Sequence, residues 1–359
     1  MNTADQQSLT KFNLLVGTYT NTCESEGIYI YEFDANSGAL KLKNNSQKSI
    51  NPSYLSVSAD NKFIYAVNEN ETESTISSFA FNSASGSLTL LNKKDAIGAS
   101  PCYLINDDQN IIVANYLGGS ITVFKKMPNG SISQVKQVIQ HEGKGINETR
   151  QDKAHVHMVY FSPDKKFLLC NDLGMDKVFI YIYDPNAEEE ILTLKETIDV
   201  KAGSGPRHSV FGKNGKFLYL IHELDEILTA FSYEENGQLN FLSQTNITPE
   251  NDEPANSSAA IKISPDGDFL YTTDRGKANL ISTYKILQNG YLELVEQLST
   301  EGENPRDFAI DPLGNYLLIA NQDTNTITFF KRDKTTGKLT YTSKKIEICA
   351  PACLHFTAF

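Results

Sequence analysis

Apolar and polar residues alternate with a period of two along most of this chain, in short runs separated by turns of Asp, Asn, Gly and Pro. Such runs predict half-buried β-strands joined by hairpins. One unit recurs. Its template runs from Pro305 to Gln322, with a first alternating stretch, the turn Asp311-Pro312-Leu313-Gly314-Asn315, and a second apolar run through Tyr316-Leu317-Leu318-Ile319-Ala320. Pro52 to Glu69, Val156 to Leu173, Pro206 to Glu223 and Ser258 to Arg275 repeat it, and Pro101 to Tyr116 does so with a shorter turn. Pro351-Ala352-Cys353-Leu354 begins it once more.

Successive units start about 50 residues apart, the spacing of a propeller in which each unit is one four-stranded blade. Two further apolar runs follow each pair, such as Thr75 to Phe81 and Leu88 to Asn92. Their hairpin turns are Ser85-Gly86, Asn129-Gly130, Asn236-Gly237, Asn289-Gly290 and Thr336-Gly337. The ends complete each other. Leu14 to Thr18, Gly27 to Phe33 and Leu40 to Gln47 read as a second, third and fourth strand without a first, while the C-terminus stops just after a first-type strand. Lending that strand to the N-terminal blade closes the ring and leaves no open edge. The expectation is an all-β, seven-bladed β-propeller of four-stranded antiparallel blades. With no linker rich in Pro, Gly or Ser, residues 12–359 read as a single propeller domain behind a polar N-terminal tail, residues 1–11.

Composition narrows the function. Forty-four acidic against 32 basic residues give a formal charge of −12, which disfavours nucleic acid and anionic membranes as partners. No run approaches the about 18 apolar residues of a membrane-spanning helix. The polar residues 1–11 do not read as a signal peptide, so the expected location is cytoplasmic. The five cysteines, Cys23, Cys102, Cys170, Cys349 and Cys353, are odd in number and widely spread. They are expected as reduced thiols, without a disulfide scaffold or zinc site. No GxSxG, HExxH or dinucleotide-binding motif occurs, and His155 and His157 lack a third ligand nearby. No metal or cofactor is expected. A closed ring needs no partner for its edges, so the expected state is a monomer or weak dimer.

In a propeller the start of the first strand and the end of the second reach the same rim. Stacking the units gives Ser53, Cys102, His157, Arg207, Ala259, Arg306 and Ala352 just after each start. It gives Asn68, Asn115, Asp172, His222, Asp274 and Asn321 at the second-strand ends, then Glu69, Tyr116, Leu173, Glu223, Arg275 and Gln322. Asn68, Asn115 and Asn321 are more simply read as turn formers, and His141 and His355 fall outside these columns. The cluster His157, Arg207, His208, Glu223 and Arg275, drawn from three adjacent blades, has the convergent polar character of a small-molecule site.

These residues carry a resemblance. The segments Leu15-Val16-Gly17-Thr18-Tyr19-Thr20, Ala154-His155-Val156-His157, Gly205-Pro206-Arg207-His208, Asp274-Arg275-Gly276, Asn304-Pro305-Arg306-Asp307-Phe308 and Ala320-Asn321-Gln322 resemble the seven-bladed propeller lactonase family. That family includes bacterial 6-phosphogluconolactonases and fungal carboxymuconate cyclases. Residue by residue, the resemblance puts a catalytic His, two Arg and a Glu on His157, Arg207, Arg275 and Glu223. His222 stands where an Asn often precedes that Glu. The implied activity is hydrolysis of a small anionic lactone, 6-phosphogluconolactone first, with a place in the pentose phosphate pathway. Glu223 is expected to be the general base if burial raises its pKa. Arg207 and Arg275 would stabilise the oxyanion or grip an anionic group, and His157 would protonate the leaving alkoxide. His155, His208, Arg306, Asp172 and Gln322 are expected to bind substrate. A lactonising cycloisomerase acting on a muconate is the second reading. A non-enzymatic binding scaffold is the third, disfavoured because Trp is absent, so no WD-type repeat exists, and because the rim columns are polar.

Overall fold

The fold is that of a computed structural model, which describes residues 10–46, 48–247 and 257–359. The strands form seven antiparallel sheets of four, and among the described residues there is no helix long and apolar enough to cross a membrane. In six sheets the strands follow in sequence order, with first strands Leu55–Val57, Pro101–Asn106, Val156–Phe161, Pro206–Phe211, Ser258–Ile263 and Pro305–Ile310. These are blades one to six. The seventh is composite: the C-terminal Pro351–Thr357 pairs with Lys11–Thr18, followed by Ile28–Asp34 and Ala39–Asn45. The ring closes as the strand count predicts.

Details differ at the edges. Lys11, assigned to the tail, already pairs with Asp34, and residues 1–9 lie outside the described residues. So does Gln47, the expected end of the N-terminal fourth strand, which stops at Asn45. In blade one the first strand starts at Leu55 rather than Pro52. Asn51 has a φ of 41° and accepts a bond from Ser53 N–H, so the chain turns where pairing was expected.

The apolar core lies between blades. Leu15, Ile28 and Ile30 of the composite blade pack with Leu55, Ile64 and Phe79 of blade one. On its other side Leu14, Val16 and Phe33 pack with Leu318 and Phe329 of blade six. An aromatic ring opening the second strand lies against the outer-hairpin glycine of the next blade: Phe63 at Gly130, Phe167 at Gly237, Phe217 at Gly290, Phe269 at Gly337 and Tyr316 at Gly38. A Cβ at Gly130 would stand 2.0 Å from the Phe63 ring. Because the apolar faces are satisfied between sheets, the inner strand edges are left for polar groups.

The rim is shaped by a repeated irregularity. Pro101 pairs with Asn115 but Tyr103 with Ala114, so Cys102 has no partner. The same slip leaves out His157 in blade three, Arg207 in blade four and Arg306 in blade six. A bulge of this kind re-aims a side chain out of the ladder. Apart from Ser53, which precedes its strand, the column of residues just after each start falls at these irregularities.

The thiols correct an expectation. Cys23 and Cys349 form a disulfide, while Cys102, Cys170 and Cys353 are buried free thiols. The two partners stand 326 residues apart. The spacing of the cysteines could not suggest the bond, because ring closure alone brings the loop after Lys11–Thr18 beside the turn before Pro351–Thr357. The bond spans the same closure that the paired strands make. Reduction, or Cys23→Ser, is expected to lower unfolding stability by about 2–5 kcal/mol. Denaturant titration with and without reductant, beside the Cys23→Ser variant, measures it.

Candidate active site

Nine rim residues line one cavity of about 140 Å³: Glu69, Cys102, Tyr116, Arg150, His157, Arg207, Glu223, Arg275 and Arg306. Cys102, His157, Arg207 and Arg306 are bulged residues of first strands. Glu69, Tyr116, Glu223 and Arg275 immediately follow second strands. A second hollow of about 620 Å³ adjoins it, sharing Arg150, Glu223 and Arg275 and adding Lys277, Asn279, Glu303 and Asp323. A larger cleft of about 720 Å³, near Pro163, Phe217 and Tyr233, lies away from these groups.

Glu223 is the centre of the cavity. Arg207 Nε donates to Glu223 Oε2 at 2.7 Å, and Arg275 Nη2 approaches the same oxygen at 3.1 Å. Arg150 Nη2 donates to Oε1 and, at 3.3 Å, to the Tyr116 hydroxyl. Backbone carbonyls fix two of these arginines: Arg207 donates to Ala259 O, and Arg275 Nε to Ser257 O at 2.8 Å. Arg207 is 1% exposed, and burial with the neighbouring Arg275 lowers its pKa to about 10, so it is still a cation at neutral pH.

This geometry overturns the condition placed on Glu223. Burial does push its pKa up, but Arg275, Arg207 and Arg150 more than reverse the shift and leave it at about 2. A carboxylate held that low is a poor proton acceptor near neutrality. His157 fits that task better. Its Nε2 lies 4.0 Å from Glu223 Oε2, and burial together with Arg207, Arg306 and Arg275 holds its pKa well below 6.5. It is a neutral imidazole beside an anion that would stabilise its protonated form.

Of the other expected binding residues, the structure brings only Arg306 into the cavity. His155 is stacked on Tyr116 with centroids 4.6 Å apart and bonded to Asp152 at 2.9 Å, so it props the wall while His157 faces the opening. Asp172 is turned away: it is fully buried, accepts from His155 N–H at 2.8 Å and pairs with His141 at 2.7 Å. Successive strand residues point to opposite faces, which separates the second-strand ends from the residues after them. Asn68, Asn115, His222 and Asn321 likewise brace the hydroxyls of Ser77, Thr122, Thr229 and Thr328 on third strands. His208 contacts Arg207 from the far side and lines a separate hollow with Tyr54, Tyr103 and Lys262. Gln322 does not reach the cavity lining.

Arg150 was not singled out from the sequence. It sits in the long charged loop between blades two and three, which interrupts the repeat and so has no column. An Asx turn on Asn147, accepting from Arg150 N–H at 3.1 Å, presents it. The length and charge of that loop are its only sequence signal.

Comparison with known proteins agrees with this fold. Residues 13–356 match the family model described as lactonase, 7-bladed β-propeller. A 6-phosphogluconolactonase of Bacillus subtilis strain 168 is 33% identical over 352 residues, covering 97% of this chain and 99% of its own. One from Formosa agariphila is 37% identical, covering 91% and 94%. Among solved structures, the Pseudomonas aeruginosa periplasmic gluconolactonase superposes with a TM-score of 0.92 at 34% identity, covering 97% and 99%. A Bacteroides fragilis protein provisionally assigned as a 6-phosphogluconolactonase gives a TM-score of 0.94 at 40% identity, covering 99% of both chains.

Two expectations follow from the buried charges. Glu223→Gln leaves Arg207 buried without its counter-charge and is expected to cost about 3–5 kcal/mol of stability, measured by denaturant unfolding. Asp274 lies just behind Arg275, 1% exposed, and burial followed by the nearby Glu226 raises its pKa to about 7 from 3.8. Between those values the folded state keeps a proton that the unfolded chain has lost, so this group makes stability fall as pH rises through that window. Asp274→Asn is expected to match the parent near pH 4 and to melt at a higher temperature at pH 8, as calorimetry at the two pH values will show.

Proposed function

This chain belongs to the seven-bladed β-propeller lactonase family, and from that premise we propose that it hydrolyses 6-phosphogluconolactone to 6-phosphogluconate. The observation that carries the reading is the cavity itself, where four arginines and two carboxylates surround a neutral histidine in a protein of net charge −12. A local cationic surplus inside an acidic molecule attracts an anionic substrate and polarises its carbonyl.

The inner cavity takes the reacting carbonyl, and the adjoining hollow with Lys277 takes the phosphorylated tail. His157 accepts a proton from water as the water oxygen bonds to the lactone carbonyl carbon, and the carbonyl electrons move to oxygen. When that intermediate collapses, the bond from the carbon to the ring oxygen breaks. His157 then returns the proton to the departing alkoxide. The new carboxylic acid loses its proton to solvent. Glu223, anionic throughout, stabilises the transient imidazolium and anchors Arg150, Arg207 and Arg275. A muconate cycloisomerase would need its catalytic group to deliver a proton to carbon, and no observation favours that over hydrolysis.

For location, the expected cytoplasm faces one contrary observation, the Cys23–Cys349 bond, since such bonds persist in oxidising compartments. Fractionation of source cells with alkylation under non-reducing conditions decides between them: cytoplasmic chain carries two alkylatable half-buried thiols at these positions, and exported chain carries none.

Among the described residues no group of three or more His, Cys, Asp or Glu is placed to hold a metal ion. Purified protein is expected to hydrolyse 6-phosphogluconolactone well above the spontaneous rate, equally with and without chelator. His157→Ala should reduce kcat about 10²–10⁴-fold, the usual range for a lost acid–base group. Because His157 must be neutral to act and its pKa lies below 6.5, the acid limb of kcat/KM is expected below pH 6.5. A rate no higher than buffer sends the search to unphosphorylated lactones and muconates.

A further inference from the structure

The four cavity arginines are not equivalent. Arg150, Arg207 and Arg275 each engage Glu223 directly. Arg306 does not. Among the described residues, its guanidinium has only a 3.6 Å approach to Glu69 Oε2 and the face of the Tyr19 ring, 5.1 Å from the centroid. Glu69 Oε2 is already shared, accepting from the Tyr19 hydroxyl at 2.8 Å and from Ser53 Oγ. Arg306 is thus held by one charge and one aromatic face, while the hydrogen-bonding edge of its guanidinium is unspent and sits in the cavity with His157.

Glu69 and Tyr19 come from different blades and are fixed independently of Arg306. Tyr19 N–H donates to Ala350 O at 3.0 Å, beside the ring-closing strand, and Asn51 Nδ2 donates to Glu69 O at 3.0 Å. Neither has a partner in the Glu223 cluster. A guanidinium steered by a carboxylate and a ring face, but not saturated by them, is arranged to receive an oxyanion.

Resting on the lactonase reading, we propose that Arg306 is the catalytic arginine that receives the carbonyl oxygen as it becomes an oxyanion, with Tyr19 and Glu69 as positioning residues that aim it. The Glu223 arginines then serve mainly to build the field around His157, and Arg306 does the stabilising of the intermediate. Tyr19 and Glu69 were not among the residues expected to act, and Arg306 was expected only to bind substrate.

The test is steady-state hydrolysis of 6-phosphogluconolactone by the full chain, with melting temperature followed for every variant. Arg306→Ala is expected to lower kcat about 10²–10³-fold with KM changed little, and added guanidinium ion should restore part of the lost rate. Tyr19→Phe keeps the ring and loses the hydroxyl, and Glu69→Gln keeps the shape and loses the charge. Each is expected to lower kcat about tenfold at an unchanged melting temperature, the scale of one misaligned charge-assisted contact. If the parent hydrolyses the lactone but Arg306→Ala raises KM alone, or guanidinium rescues nothing, the assignment of Arg306 falls while the lactonase reading stands. If Arg306→Ala behaves as expected but both Tyr19→Phe and Glu69→Gln keep the parental kcat, the positioning roles fall. If the parent shows no excess over spontaneous hydrolysis, the lactonase reading itself fails and this one with it.

Discussion

One buried carboxylate makes the rest of the cavity possible. Three guanidinium groups within reach of each other repel, most strongly around Arg207, which is 1% exposed and whose desolvation is costly. Glu223 offsets both effects by accepting hydrogen bonds from Arg150 and Arg207 and pairing with Arg275 at 3.1 Å. Its low pKa follows from that pairing and leaves it a poor proton acceptor near neutrality. In the proposed mechanism the acid–base work passes to His157, which burial together with Arg207, Arg306 and Arg275 keeps neutral.

How those side chains arrive is a matter of backbone. First strands that ran regularly along the channel would leave each residue paired in the ladder. The slip after the first residue releases Cys102, His157, Arg207 and Arg306, and Glu69, Tyr116, Glu223 and Arg275, each just after a second strand, meet them in the cavity. Because the slip recurs at one position of the repeat, residues aligned by the repeat fall into the columns that supply the cavity lining. That is why the fold, the ring closure and His157, Arg207, Glu223 and Arg275 were legible in the sequence.

What escaped had physical reasons. Asp172 occupies a column that looks equivalent to its neighbour, but strand alternation turns it inward, where it carries His141 and the His155 N–H. His208 follows Arg207 directly and for the same reason leaves by the opposite side. Arg150 lies in an insertion, outside any column. The Cys23–Cys349 bond depends on the closed ring, so its partners are near only in three dimensions. The charge state of Glu223 depends on how many arginines share it, which requires coordinates for a loop that the repeat does not describe.

The composite blade has a consequence for biosynthesis. Its outer three strands, Lys11–Thr18, Ile28–Asp34 and Ala39–Asn45, are synthesised before the six other blades, but their innermost partner, Pro351–Thr357, follows all of them. While blades one to six are being made Lys11–Thr18 therefore presents an unpaired edge, the feature most open to pairing with another nascent chain. Blades one to six can assemble in order behind it, each onto its predecessor, yet the ring is sealed only once Pro351–Thr357 has cleared the ribosome. A truncation of even the final strand would leave every other blade encoded and the molecule permanently ajar.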